Sequence, residues 1–155
     1  VHGLLGIRIS AIVGPAEAIA QLANVQAFTY RHLPFLEQMA LAHFIEHGYF
    51  MRHMRRAKNI YRRRHEVMQK AITASGLGNK FTLRGIETGL HVLLEADESF
   101  DEETMTFRAL QGGVRVHQLH SYCLESRRKG WVLGFAKVDE RFIEEGMYRL
   151  AETVL

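Results

Sequence analysis

A chain of 155 residues with 47% hydrophobic and 24% charged residues has the composition of one globular domain with a real core, which excludes a disordered tail. Its longest apolar stretches fall far short of a bilayer span, and its single cysteine, Cys123, excludes an intramolecular disulfide framework and suits a reducing cytoplasm. The net charge of +3 conceals an asymmetry: residues 1–75 carry 10 Lys+Arg against 4 Asp+Glu, whereas residues 76–155 carry 10 against 13.

The first element expected is a buried strand over residues 4–13, apolar and rich in β-branched side chains. No basic segment precedes the apolar run at 9–13, so a signal peptide is not expected. Gly14-Pro15 followed by Glu17 marks a helix start, and Ile19, Leu22 and Val25 or Gln26 keep helical spacing to about Tyr30. Pro34 opens a second helix with Leu36, Met39, Ala40 and Phe44 on one face, ending near His47-Gly48. A long helix follows over residues 49–75, its stripe made of Phe50, Met54, Ala57, Tyr61, Met68 and Ile72, with Gly76 and Gly78 ending it.

Beyond Gly76 the pattern changes to short strands, expected at 81–83, 90–94, 114–116 and 131–136. Residues 101–111 read as a helix with acidic residues at its start, closed by Gly112-Gly113. A last helix begins at the N-cap Asp139 and turns Phe142, Ile143, Met147, Leu150 and Val154 inward. The order is a strand, three helices and then a β-β-α-β-β-α layer.

Three constellations invite a chemical reading. His43-Phe44-Ile45-Glu46-His47 matches H-x-x-E-H, in which two histidines four apart on a helix share a metal; with nine histidines in the chain such a match arises readily, and the plainer reading is a polar helix end. Arg52, Arg55, Arg56, Lys58, Arg62, Arg63 and Arg64 crowd one helix as for phosphate-backbone contact, but core-type residues interrupt the run and no nucleic-acid motif frames it. Cys123 near His117 and His120 lacks the further ligands or orienting acid that a zinc or thiolate site requires. Taken residue by residue, the sequence specifies an α/β domain without a complete active site.

One long pattern goes further. The segment EQMALAHFIEHGYFMRHMRR at 37–56, followed by Tyr61-Arg62-Arg63-Arg64, resembles the aminotransferase-like module of MocR/GabR-type regulators. These are bacterial transcription factors related to the GntR group, in which a winged helix–turn–helix is fused to a fold-type-I aminotransferase-like domain. The resemblance continues through Thr88-Gly89-Leu90-His91-Val92-Leu93-Leu94, Gly113-Val114-Arg115-Val116, Tyr122, Leu133-Gly134-Phe135-Ala136 and Ile143-Glu144-Glu145-Gly146, covering nearly the whole chain. It implies an α/β fold, the C-terminal portion of a pyridoxal-phosphate-dependent transferase. Residues 1–48 would be a remnant of the large domain, 49–75 the interdomain helix and 76–155 a small C-terminal α/β domain.

The resemblance also assigns roles. Gly6-Ile7-Arg8-Ile9-Ser10 is similar to the family strand whose arginine holds the cofactor phosphate, so Arg8 is the cofactor-binding residue it implies; a planar guanidinium pairs two phosphate oxygens at once. The family's Schiff-base lysine stands about seven residues before that arginine, which falls on Val1, so the chain alone is expected to be inactive, with no catalytic residue and no metal. Class I aminotransferases grip the substrate carboxylate with an arginine whose position here is near Val132; Arg115 and Arg84 are the substitutes on offer. Lys58, Lys70, Lys80, Lys129 and Lys137 are expected to give only nonspecific adducts.

The partners implied are a second copy of the chain, a small amino compound as effector, and DNA only through a winged helix absent from this sequence; no membrane contact and a cytoplasmic location are expected. The alternatives are a C-terminal fragment of a genuine class I/II aminotransferase and a stand-alone chain that pairs with a full-length regulator. A chain that opens inside a strand of a larger sheet leaves backbone groups unpaired, so the isolated protein is expected to be marginally soluble.

Overall fold

The structure, a computed structural model, describes residues 9–29, 34–85, 89–124 and 128–155. The chain divides into two compact units, Val1–Ala57 and Lys58–Leu155. In the first, residues 9–15 carry no strand pairing, so the described part of the expected first strand is irregular backbone. A β-branched run becomes a strand only beside a partner, and none is found for it among the described residues. Helix α1 (Ala16–Thr29) follows Pro15, whose carbonyl accepts the amide of Ile19 at 3.0 Å. Helix α2 (Phe35–Glu46) follows Pro34, and Gly48, at φ 73°, turns the chain into α3. Neither α1 nor α2 has a buried residue: Leu22, Val25, Leu36 and Met39 are all exposed.

Helix α3 (Tyr49–Ala74) is amphipathic as its stripe predicts, with Ala57, Met68 and Ile72 buried. Gly76, at φ 81°, ends it, whereas Gly78 lies inside the short helix α4 (Leu77–Lys80) and does not act as a stop. The second unit then forms a four-stranded antiparallel sheet of order β1-β2-β4-β3, with β1 (Thr82–Arg84), β2 (His91–Ala96), β3 (His117–Gln118) and β4 (Lys129–Gly134). In register, Leu93 and His117 flank Val132, and Leu94 and Gln118 flank Trp131. The strand expected at 114–116 pairs instead at 117–118, because pairing follows the partner strand rather than local propensity.

Helices α5 (Glu102–Gln111) and α6 (Glu140–Val154) complete the second unit, capped by Asp101 and Asp139, whose carboxylates accept the amides of Thr104 at 3.1 Å and Arg141 at 3.3 Å. Ile143, Met147, Leu150 and Val154 are buried as expected, but Phe142 is 52% exposed. The core gathers Met68, Ile72, Leu77, Val92, Leu94, Leu133 and Phe135 with the inner face of α6. At one end Trp131 stacks on Phe81 and meets Phe100 edge-on, with ring centroids 5.2 and 5.3 Å away, and its indole N–H donates to Thr106 Oγ1 at 2.9 Å. No helix among the described residues is long and apolar enough to cross a membrane.

Candidate functional site

Arg8, the residue matched to the phosphate-holding arginine, lies outside the described residues. Val132, at the position matched to the carboxylate-gripping arginine, is buried in β4 and brings no charge there. Of its two substitutes, Arg84 is committed elsewhere: its Nε donates to Glu95 Oε2 at 2.7 Å, while Arg128 Nε takes Glu95 Oε1 at 2.7 Å. Held by two guanidiniums, first Arg128 and then Arg84, the Glu95 carboxyl titrates at about 2 instead of 4.5. A depressed folded-state pKa stabilises the fold above pH 4.5, and that contribution fades as pH falls toward 2. Glu95→Gln is therefore expected to cost roughly 1 kcal/mol near neutrality. It should also flatten the acid limb of a denaturation series taken across that window; an unchanged limb would show the clamp to be idle.

Arg115 occupies a different setting. With Gly113, Arg149 and Glu145 it lines a cleft of about 410 Å³ in the second unit, between the segment leaving α5, the end of β4 and the first half of α6. Leu133, Ile143 and Met147 form the apolar floor. Arg149 donates to Glu145 Oε1 at 2.5 Å, one helical turn away.

Glu102, the single buried charged residue among those described, was not legible as special beside its neighbour Glu103. Its Oε1 accepts the amides of Leu119 and Gly130 at 2.9 Å and of His120 at 3.4 Å, and its Oε2 pairs with His120 Nδ1. One carboxylate thus ties the start of α5 to the 3₁₀ turn Leu119–Tyr122 and to β4. With one carboxylate oxygen holding three backbone amides and the other the His120 ring, the group acts as a structural knot.

The remaining constellations resolve into local contacts. The rings of His43 and His47 lie 3.8 Å apart, tilted by 33°, and His47 Nδ1 lies 2.9 Å from the carbonyl oxygen of His43 at the end of α2. Among the described residues no group of three or more His, Cys, Asp or Glu is placed to hold a metal ion. In the arginine run, Arg62 pairs with Glu66 at 3.9 Å, Arg63 with Glu140 at 3.3 Å, and Arg64 donates to the carbonyl of Ala136. Cys123 Sγ rests 3.5 Å from the carbonyl of Leu119, and the imidazole of His120 is turned to Glu102. Lys80 and Lys129 donate to the carbonyls of Val154 and Glu98 at 2.5 and 2.6 Å; Lys58, Lys70 and Lys137 are exposed.

Comparison with known proteins places this architecture. The structure superposes on LysN, the α-aminoadipate aminotransferase of Thermus thermophilus, with a TM-score of 0.83 at 22% identity over 92% of this chain and 36% of that one. It superposes equally well on a multiple-substrate aminotransferase of Thermococcus profundus, with a TM-score of 0.83 at 24% identity over 90% and 34%. The fold is that of the pyridoxal-phosphate-dependent aminotransferases. In sequence the similar proteins are regulators. The probable rhizopine catabolism regulatory protein MocR of Rhizobium meliloti is 30% identical over 96% of this chain and 30% of its own length. The HTH-type regulator TauR of Rhodobacter capsulatus is 29% identical over 96% and 31%. An uncharacterized HTH-type regulator of Bacillus subtilis, YdeL, is 28% identical over 95% and 32%. Over nearly its whole length the chain is similar to MocR- and TauR-type regulators, and together with its fold it fits the C-terminal, aminotransferase-like part of such proteins. It spans about a third of the length of the curated relatives it matches. No family model matches the chain.

Proposed function

We propose that the chain serves in the effector-sensing and dimerising aminotransferase-like domain of a pyridoxal-phosphate-dependent MocR-type regulator in the cytoplasm. In this reading residues 1–48 belong to the large cofactor-binding domain, 49–75 to the connecting helix and 76–155 to the small domain. The DNA-binding winged helix and the Schiff-base lysine stand outside these 155 residues. The observation that carries the reading is the joint one: regulators match almost the entire chain in sequence, and aminotransferases match it in fold. Arg8 would pair with the cofactor phosphate through its two-pronged guanidinium, and the chain's own lysines would take no part. Pyridoxal phosphate, when bound, supplies the carbonyl that condenses with an amino compound.

Sequencing the genomic DNA immediately upstream tests the reading directly. An in-frame continuation with Ser-x-Ser-Lys and a winged-helix segment supports it; a continuation with the lysine but no winged helix supports a genuine aminotransferase instead. On the chain itself, incubation with pyridoxal phosphate followed by borohydride trapping and peptide mapping is expected to scatter label over the exposed Lys58, Lys70 and Lys137. A single dominantly labelled lysine would contradict the assignment of the reactive amine to a residue outside the chain.

A further inference from the structure

We infer that the cleft beside α6 binds a small organic monocarboxylate with a short apolar tail. Its volume of about 410 Å³ lies in the range of small-molecule sites, and its plan is theirs: an apolar floor with a few polar groups at the rim. Leu133, Ile143 and Met147 supply the floor, each nearly inaccessible from outside. At the rim stand two guanidiniums and one carboxylate. Glu145 neutralises Arg149, whereas Arg115 has no ion pair or hydrogen bond among the described residues. The rim therefore carries one uncompensated positive charge, which suits a monoanion better than a phosphate dianion.

Gly146 adds an independent observation. It sits within α6 in ordinary helical conformation, where glycine costs roughly 1 kcal/mol against alanine and no left-handed backbone requires it. A Cβ built at Gly146 would meet nothing within 4 Å, and the residue lines the cleft. A larger side chain at this position would project into that open space. Phe142, half-exposed on the same helix, borders the opening and offers an apolar edge to a bound tail.

The inference does not depend on cofactor binding, so it is tested on the whole 155-residue chain without pyridoxal phosphate. Ligand-observed NMR titration with hexanoate, hexylammonium and inorganic phosphate separates the possibilities. Hexanoate is expected to bind, hexylammonium not to, and phosphate alone to bind far more weakly. Arg115→Ala, an exposed position whose loss leaves the core intact, should weaken hexanoate about tenfold, the effect of losing one charge-assisted hydrogen bond. Gly146→Leu should abolish binding by filling the space, while far-ultraviolet circular dichroism confirms that α6 persists. Equal binding of amine and carboxylate, binding indifferent to both substitutions, or no binding at low-millimolar hexanoate would overturn the assignment. Phosphate binding as tight as hexanoate would reduce the cleft to a surface anion contact and would overturn it as well.

Discussion

Gly130→Ala is expected to remove the native sheet of the second unit. Gly130 lies in β4 opposite Glu95 with φ 134°, a backbone conformation that side chains of L residues rarely enter. Independently, a Cβ there would fall 2.0 Å from the carbonyl oxygen of Leu94 and 3.0 Å from the Cα of Glu95. Both obstacles are backbone in the centre of the sheet, so no rotamer change relieves them. Relief requires β2 and β4 to part, which would break their pairing along its whole length from His91↔Gly134 to Ala96↔Lys129. The penalty should reach ~4 kcal/mol or more, comparable with the whole stability of a small domain. The emission of Trp131, the single tryptophan and the next residue along, reports the outcome. A red-shifted, solvent-exposed spectrum under native conditions is expected, and a wild-type denaturation midpoint would show that the strands are not this close.

The second large effect belongs to Glu102. Removing its carboxylate in Glu102→Ala strands the amides of Leu119 and Gly130 in a buried place and releases the His120 ring. Unsatisfied buried donors cost about 1–3 kcal/mol each, so a total loss of roughly 3–5 kcal/mol is expected in urea denaturation followed by Trp131. Glu102→Gln retains an acceptor oxygen for the two amides and should lose about half as much. If alanine and glutamine cost the same, the backbone amides are not the partners that matter. Because Gly130 donates to Glu102 and also needs its own bare backbone, the two substitutions share a contact, and their effects should fall short of additive.

How much of this was written in the sequence differs from element to element. The stripe along α3, the cap Asp139, the acidic start of α5 and the glycine stops at Gly76 and Gly113 are local signals, and each is where the pattern puts it. The shift of β3 to His117–Gln118 and the exposure of Phe142 were not local: a strand's register depends on its partner, and Phe142 borders a cleft that periodicity cannot foresee. Glu102 escaped notice for the same reason, since a buried carboxylate and an exposed one look alike at a helix start. The likeness to the regulators was legible only from the long pattern shared across the chain. The spacing of any few histidines or arginines was uninformative: the paired histidines closed on each other, and several arginines of the basic run were spent on neighbouring carboxylates and a carbonyl.

The bare faces of α1 and α2 bear on how the protein breathes. A helix of this length draws little support from its own backbone bonds in water, and here no residue of either helix is buried to hold it. Its amide protons are then released by local fraying, whereas those of β2 and β4 wait for the loss of the entire sheet. Hydrogen exchange would consequently show two tiers within one chain, a fast one over α1 and α2 and a slow one centred on Trp131. Whatever surface comes to cover α1 and α2 in the cell would be read out first as a slowing of the fast tier, before any change in the stability of the core.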